Sequence, residues 1–491
     1  MLLEDSLLNK KVSIKQLLLK KNITGIQFDS RQIEPGNLFI AIEGTSMDGH
    51  QYIQQAIERG ASVIIGEKNI EGLQVPYYKS FNSRLALSKA ASEFYGHPWE
   101  RPIMIGITGT NGKTTTSYFI RHILEHHGLS CGLIGTVKHI INGNEIFSSQ
   151  TTPDPIQLQK LLSESKDDVI IMEVSSHGLH QDRVSGIEFD FALFTNLSHD
   201  HLDYHTTIES YFYVKAKLFN LLKEDGLAII GTYNNWGDKM RRVINTPDTR
   251  VFTFGSNDYD DYELLQWNQG SINKCLIRDI KDKISLVFPL PGLHNVWNAL
   301  GSFVIARKLN ISVEEIKHAL LSFPGVPGRF QMINYENQPT FIVDYAHTPD
   351  GLEHCLSTAK KQSSGELIHI FGFRGNRDKT KRETMLEIST SKCNKVILTL
   401  DDLNTESYNS MIEDMRCLAE RRLNVQIIPD RTLAIERAWK EAGTNDIVII
   451  TGKGPEEYKQ PFTHPCLSDQ DTVNFLVKES IDNDVQVRHL H

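Results

Sequence analysis

The residues best placed to do chemistry in this chain lie between Gly106 and Thr116, in the string GITGTNGKTTT. Gly109 and Gly112 can take backbone angles closed to other residues. Successive amide N–H groups can then converge on a phosphate at a helix N-terminus, where the dipole also favours negative charge. Lys113 reaches the terminal phosphates as a point charge, and the Thr114 hydroxyl can hold a magnesium ion. The spacing departs from the common GxxxxGK[ST] loop, because Ile107 stands where that pattern needs its first glycine. This argues against a plain kinase or GTPase. A glycine turn followed by a chance lysine is the structural alternative, and it is weakened because GKTTT follows a strand pattern and opens a helix.

Two further groups belong with this loop. Glu173 ends an apolar run, Asp168 to Val174, and NLSHDHLDYH follows another, Phe189 to Leu197. A carboxylate and an imidazole arriving beside a bound triphosphate are plausible magnesium ligands. His199, His201 and Asp203 also spell HxHxD, which opens some zinc hydrolase sites. That rival predicts zinc and no ATP dependence, and it leaves GKTTT unexplained. Lys215, on the helical pattern SYFYVKAKLFNLL from Ser210 to Leu222, reads by itself as a solvated surface lysine. Asn295 and Asn298 open a later helix, either as caps or as groups that could meet a nucleobase.

These residues need strands and helices to carry them. Pro102 to Ile107 reads as a buried strand and Ser117 to His127 as a helix. The first hundred residues alternate short strands and helices, interrupted by Asp29-Ser30-Arg31 and by Thr45 to Asp48. In a loop, Asp-Ser-Arg is more often a capped turn than a binding site. GHPWERP and GVPGRF read as linkers. After the second comes another βαβ series with polar strand ends at Asp344 to His347, Arg374 to Lys379, Asp401 and Asp402, and Gly452 to Glu456. The expected fold is α/β with three domains. They are an N-terminal α/β domain (1–98), a central ATPase-type domain with a mostly parallel sheet (99–326) and a C-terminal Rossmann-like domain (327–491). In open α/β sheets the ligand crevice lies beyond the carboxyl ends of the strands, where these polar loops fall.

Composition narrows the class. At 491 residues the chain is too long for one core, and its net charge of −9 argues against nucleic acid as the main partner. No apolar run approaches the roughly 18 residues of a membrane helix, and MLLEDSLLNKK lacks the order of a signal peptide. A cytoplasmic monomer without membrane contact is expected. The six cysteines show no CxxC pair, which fits free thiols.

Taken in order, TGTNGKTTT, EVSSHGL, FTNLSHDHLDYH, YxxxKAKLF, GLHNVWNAL, VPGRF, VDYAHTPDGLE, FGxRGNRDKTKR and GKGPEEY resemble the Mur ligases of peptidoglycan synthesis. The resemblance covers nearly the whole chain. It is strongest to the members that add the third amino acid to UDP-N-acetylmuramoyl-L-alanyl-D-glutamate. It implies that ATP phosphorylates the acceptor carboxylate and that the amine of the incoming amino acid attacks the acyl phosphate. It also implies peptidoglycan and cell wall biogenesis, and hence cell shape, division and cycle.

By that resemblance ATP is held by Gly109, Thr110, Asn111, Gly112, Lys113, Thr114 and Thr115. Asn295, Arg329, Asp344 and His347 fall where the third domain closes over the nucleotide. Thr114, Glu173 and His201 match magnesium positions, and Lys215 matches a lysine carbamylated by CO2 that binds a second magnesium. The UDP-sugar peptide falls to Ser30, Thr45, Ser46, Met47, Thr151, Thr152, Ser175, Gln181 and Arg183. Arg377, Asp401, Gly452 and Glu456 match groups that hold the amino acid. Relatives adding meso-diaminopimelate carry Asp-Asn-Pro-Arg, where this chain has Asp401-Asp402-Leu403-Asn404. Asn404 lacks the arginine's bidentate contact with the distal carboxylate, and Asp402 could favour a cation such as that of L-lysine.

Three alternatives remain at this stage. One is a paralogue acting on a different carboxylate. A folylpolyglutamate synthetase would lack the N-terminal UDP-binding domain, and a non-catalytic regulator would have lost Lys113, Glu173 or Lys215.

Overall fold

The structure is a computed structural model that describes residues 6–7, 12–44, 47–244, 246, 249–268, 270, 272–280 and 282–488. Its strands form three main sheets, one in each of three successive α/β domains. The first is parallel throughout and runs in chain order through Ile26–Gln27, Leu38–Ile40, Val63–Gly66 and Tyr77–Lys79. The last holds Thr340–Asp344, Ile447–Thr451, Leu367–Phe371, Lys395–Leu398 and Val425–Ile427 in parallel, with Gln331–Ile333 antiparallel at one edge.

The central sheet positions the chemistry. Among the described residues it has 11 strands, and Ile103–Thr108 lies between Val169–Glu173 and Phe189–Phe194. The three are parallel and in register, with Ile107 opposite both Glu173 and Leu193, so their carboxyl ends finish level. Each is almost wholly buried, which explains the largely apolar runs, interrupted in Phe189–Phe194 by the partly exposed Asp190. The far edge is extended by an antiparallel meander, Tyr262–Asn268, Asn273–Asp279 and Asp282–Phe288. One face carries the helices Lys113–His126, Leu293–Lys308 and Val313–Leu321, and the other packs Pro155–Glu164, Ile208–Ala216 and Asn235–Ile244. Phe119 lies at the centre of the first layer, stacked on Phe323 at 4.0 Å and edge-on to Phe288 at 5.7 Å.

One element sharpens expectation and one differs from it. The helix that GKTTT was expected to open starts at Lys113 and so takes in the residues before the helix-compatible segment Ser117 to His127, because Gly112, at φ +86°, turns the chain directly into it. The helix expected from Ser210 to Leu222 runs only Ile208–Ala216, followed by a 3-10 segment, Lys217–Leu221. Leu222 already begins the strand Leu222–Gly231, paired with Phe189. Sheet pairing there outweighs the helical stripe, of which Tyr211, Val214 and Leu218 are buried.

Candidate functional site

The loops after the three central strands face the third domain across a cavity of about 780 Å³. Thr110, Asn111, Gly112, Lys113, Thr114 and Thr115 line it, together with Asn295, Arg329, Asp344 and His347. Gly109 lies beneath at φ +151°, and a Cβ there would sit 1.9 Å from the Thr195 hydroxyl.

Its carbonyl has an unusual load. The ammonium groups of Lys113 and Lys215 both donate to the Gly109 oxygen, each at 2.8 Å. Lys113 also donates to the Thr110 carbonyl at 3.0 Å. Both lysines are taken out of water, which lowers their pKa values, and Lys113 beside it pushes Lys215 further down. Burial and that neighbour hold Lys215 well below the ordinary lysine range, so it is no solvated surface residue. A neutral amine is the form that reacts with CO2.

Glu173 accepts from the Thr114 and Thr136 hydroxyls, each at 2.8 Å. Arg329 donates to the same Thr114 hydroxyl at 3.1 Å. Thr114 and Glu173 therefore present adjacent hard oxygen donors, of the kind magnesium takes. His201 lies farther round the cavity, 3.3 Å from Asp200. Burial keeps its imidazole neutral at ordinary pH. Burial alone would raise the Asp200 carboxyl, but His201, His347 and Lys381 hold it below its usual range.

No group of three or more His, Cys, Asp or Glu side chains converges on a metal position among the described residues. The HxHxD reading meets this directly: His199 turns to Asp378 of the third domain at 3.5 Å, whereas His201 turns to Asp200. The three side chains of that motif do not form a zinc site.

Of the residues expected to hold the UDP-sugar peptide, Thr151, Thr152, Ser175 and Arg183 line the cavity. Gln181 accepts from Arg183 at 2.8 Å, and Arg183 donates to the Thr152 carbonyl at 2.7 Å. Ser30 and Met47 lie away from it in the first domain. Ser30 donates to Gln55 at 2.7 Å, Asp29 caps its own turn, and Met47 is exposed. Thr45 and Ser46 lie outside the described residues. Asn295 is buried inside its helix, donating to the Pro291 carbonyl at 2.7 Å, so it is not that helix's cap.

The expected amino-acid residues gather at the carboxyl ends of the third sheet. Arg374 pairs with Glu456, donates to the Gly452 carbonyl at 3.1 Å and faces Asp401 at 3.6 Å. Arg377 reaches the cavity. Asp402 is not a free acidic group: Lys453 takes one oxygen at 2.7 Å and Lys459 lies 3.0 Å from the other. Asp402 could favour a cationic side chain, and in the structure two lysines of this chain already face its carboxylate. Asn404 donates to the Gly375 carbonyl at 2.8 Å, at φ +51°.

Sequence reasoning gave no role to Asp200, Arg374, Lys381 or Lys453. Asp200 and Arg374 lay within quoted motifs. Lys381 and Lys453 also lay within quoted motifs, FGxRGNRDKTKR and GKGPEEY, but their partners appear only on folding.

Family comparisons agree with this architecture. Residues 22–95 match the Mur ligase family, catalytic domain; residues 107–306 match the Mur ligase middle domain; residues 328–454 match the Mur ligase, glutamate ligase domain. A UDP-N-acetylmuramoyl-L-alanyl-D-glutamate--2,6-diaminopimelate ligase of Clostridium tetani (strain Massachusetts / E88) is 38% identical over 469 residues, 93% of each chain. The chain belongs to the Mur ligase family. A ligase of the same name from Fusobacterium nucleatum is 37% identical, over 91% of this chain and 92% of that one. A solved structure of a ligase of that name aligns at TM-score 0.66 and 29% identity, covering 93% of this chain and 95% of that one. A Mur ligase solved in complex with ADP, MurF of Thermotoga maritima, shares the fold at TM-score 0.62 and 18% identity, over 87% and 93% of the two chains. As a Mur ligase the chain is an ATP-dependent amino acid ligase. Among the described residues, no helix is long and apolar enough to cross a membrane.

Proposed function

We propose that this Mur ligase adds meso-diaminopimelate to UDP-N-acetylmuramoyl-L-alanyl-D-glutamate through an acyl phosphate, as a step of peptidoglycan precursor synthesis. The relatives named for that reaction support the acceptor and the amino acid. The observation that carries the choice of amino acid is the neutralisation of Asp402 by Lys453 and Lys459. Lysine and diaminopimelate share the distal ammonium, and only diaminopimelate adds a distal carboxylate, the group that a lysine side chain at this site can meet. The Lys459 side chain is 69% exposed at its rim. It offers the cation that Asn404 lacks, as a point charge instead of a fork.

An unactivated carboxylate does not form an amide in water, so the γ-phosphoryl group of ATP first passes to the D-glutamate carboxylate and ADP leaves. Lys113 and Arg329 balance the charge that develops on the phosphoryl oxygens. Magnesium, when bound, would neutralise phosphate charge, with Thr114 and Glu173 as its nearest donors and His201 farther round the site. Lys215, as its carbamate, would add an anionic donor. Arg377, with the Arg374–Glu456–Asp401 cluster behind it, orients the amino acid's carboxylate and amine. The amine attacks the acyl carbon, the tetrahedral intermediate collapses, and phosphate leaves as the amide forms. The third domain, closed over the cavity, keeps water from the acyl phosphate.

The test is phosphate release from ATP and magnesium with UDP-N-acetylmuramoyl-dipeptide, screened against meso-diaminopimelate, L-lysine, L-ornithine and neutral amino acids, with product masses. We expect turnover with diaminopimelate, and a raised KM for it in Lys459→Met. Preference for L-lysine would overturn the amino-acid assignment, and silence with every amino acid would overturn the acceptor.

A further inference from the structure

Three cations stand close together where the third domain meets the cavity, and they are treated differently by the fold. Lys379 pairs with Glu406 at 2.8 Å and Asp414 at 3.1 Å. Arg382 is buried against the same two carboxylates, at 2.9 and 2.5 Å. Lys381, between them, pairs with neither. It crosses the cavity towards the central domain, where its ammonium lies 3.5 Å from an Asp200 oxygen, with no hydrogen bond among the described residues.

Its side chain is only 14% exposed. An ammonium so shielded, at a distance longer than a charge-assisted hydrogen bond, is poorly compensated for the water it has lost. Lys381 is also the first residue of the helix Lys381–Lys392, where the helix dipole disfavours a cation. Local stability therefore does not explain the lysine. Its presentation is nonetheless fixed. Asp378 accepts from the Thr380 amide at 2.9 Å and from its hydroxyl at 2.6 Å, and the other Asp378 oxygen meets His199. The turn that carries Lys381 is thus tied to the loop that carries Asp200.

What lies across the cavity identifies the missing partner. Lys113, Thr114 and Arg329 line the same space, and the Arg329 Nε is buried without a hydrogen-bond partner. Asp200, 3.5 Å from Lys381, also acts electrostatically on Lys113, so one carboxylate answers to cations of both domains. The surroundings suit a compact, multiply charged anion reaching from the loop towards the third domain.

We propose that Lys381 is a phosphate-binding residue that the third domain delivers to the terminal phosphoryl group of ATP, exchanging its long contact with Asp200 for that anion. The inference rests on the reading that Gly109 to Thr115 hold ATP. It adds a cation supplied across the domain interface, so that closure and recognition of the triphosphate become one event. ADP, lacking the terminal phosphate, would leave Lys381 on Asp200.

The experiment is calorimetric titration of the full chain with ATP and, separately, ADP, in magnesium and without acceptor or amino acid, for wild type, Lys381→Met and Lys381→Arg. Circular dichroism melts would confirm that each variant folds. Wild type should prefer ATP, and Lys381→Met should lose about tenfold of that preference while ADP affinity stays within about threefold. Lys381→Arg should keep most of the preference. Equal weakening of ATP and ADP would make Lys381 an interdomain latch and overturn the proposal. So would an unchanged ratio, a wild type without preference, or an arginine variant as weak as the methionine one. The titration needs no acceptor, so a wrong acceptor would appear in the turnover screen and leave this result standing.

Discussion

Lys113 and Lys215 show how far residue type carries a reading. Lys113 was legible because its role is written in adjacent residues: a glycine, a lysine and a threonine between strand and helix. Lys215 was not, because burial and the neighbour that changes its chemistry come from residues far along the chain. Its Nζ is bound to a carbonyl 106 positions away and lies 4.5 Å from the centroid of the Tyr211 ring. Two lysines on one carbonyl oxygen repel, and burial together with that neighbour holds Lys215 well below the ordinary lysine range. Conversion to a carbamate would replace that repulsion with attraction to Lys113. We therefore expect Lys215→Ala to lose most activity and short-chain carboxylic acids to restore part of it by standing in for the carbamate, read as ADP formation against acid concentration. Absence of rescue in a folded variant would remove the anionic role.

At the scale of elements, the strands were the legible part, because near-complete burial writes largely apolar runs. Helix ends were less so. The sequence showed that GKTTT opens a helix but not which residue is its first; the turn at Gly112 makes it Lys113, so the helix takes in the residues that matter. Gly112 serves two needs at once. Its φ of +86° suits glycine, and a Cβ would sit 2.3 Å from the Asn298 side-chain oxygen of the helix Leu293–Lys308. That oxygen accepts from Thr116 at 3.3 Å, so the two helices are keyed together at the mouth of the loop. Gly128, at φ +94° with nothing within 4 Å, provides the comparison for backbone strain alone. Gly128→Ala should cost about 1–2 kcal/mol in urea unfolding with ATP affinity unchanged. Gly112→Ala should cost more and weaken ATP binding at least tenfold. Equal effects of the two would show that the Asn298 contact contributes nothing.

At the scale of the whole molecule, the closed arrangement was the least legible. Its contacts join residues far apart: Asn111 to Asp350 at 2.7 Å across 239 positions, Arg329 to Thr114 across 215, and His199 and Asp200 to Asp378 and Lys381. Folding also buries imidazoles. His177, His205 and His347 are lowered to about 4, and His294 and His369 to about 3, in each case chiefly by burial. Their folded values lie below the unfolded 6.5, so between about pH 6.5 and 4 the unfolded chain binds more protons and stability falls as pH falls. His354 opposes this, since its bond to Asp350 raises it and its contribution is present at low pH and lost as pH rises. His201 is lowered too, and His122, His139 and His180 in the same direction, so nine imidazoles against one leave the acid direction in control. Thermal melts should therefore drop steeply from pH 7 towards pH 5, each buried imidazole contributing at most about 1.4 kcal/mol per pH unit. His369 isolates one of them, because it is wholly buried within the third domain, hydrogen-bonded to Ser389 at 2.7 Å and Thr451 at 2.9 Å and stacked on Phe371. His369→Gln should lower stability at pH 7 and flatten the pH profile by about one proton. A parallel profile, displaced but not flattened, would mean that His369 takes up its proton equally in the folded and the unfolded chain.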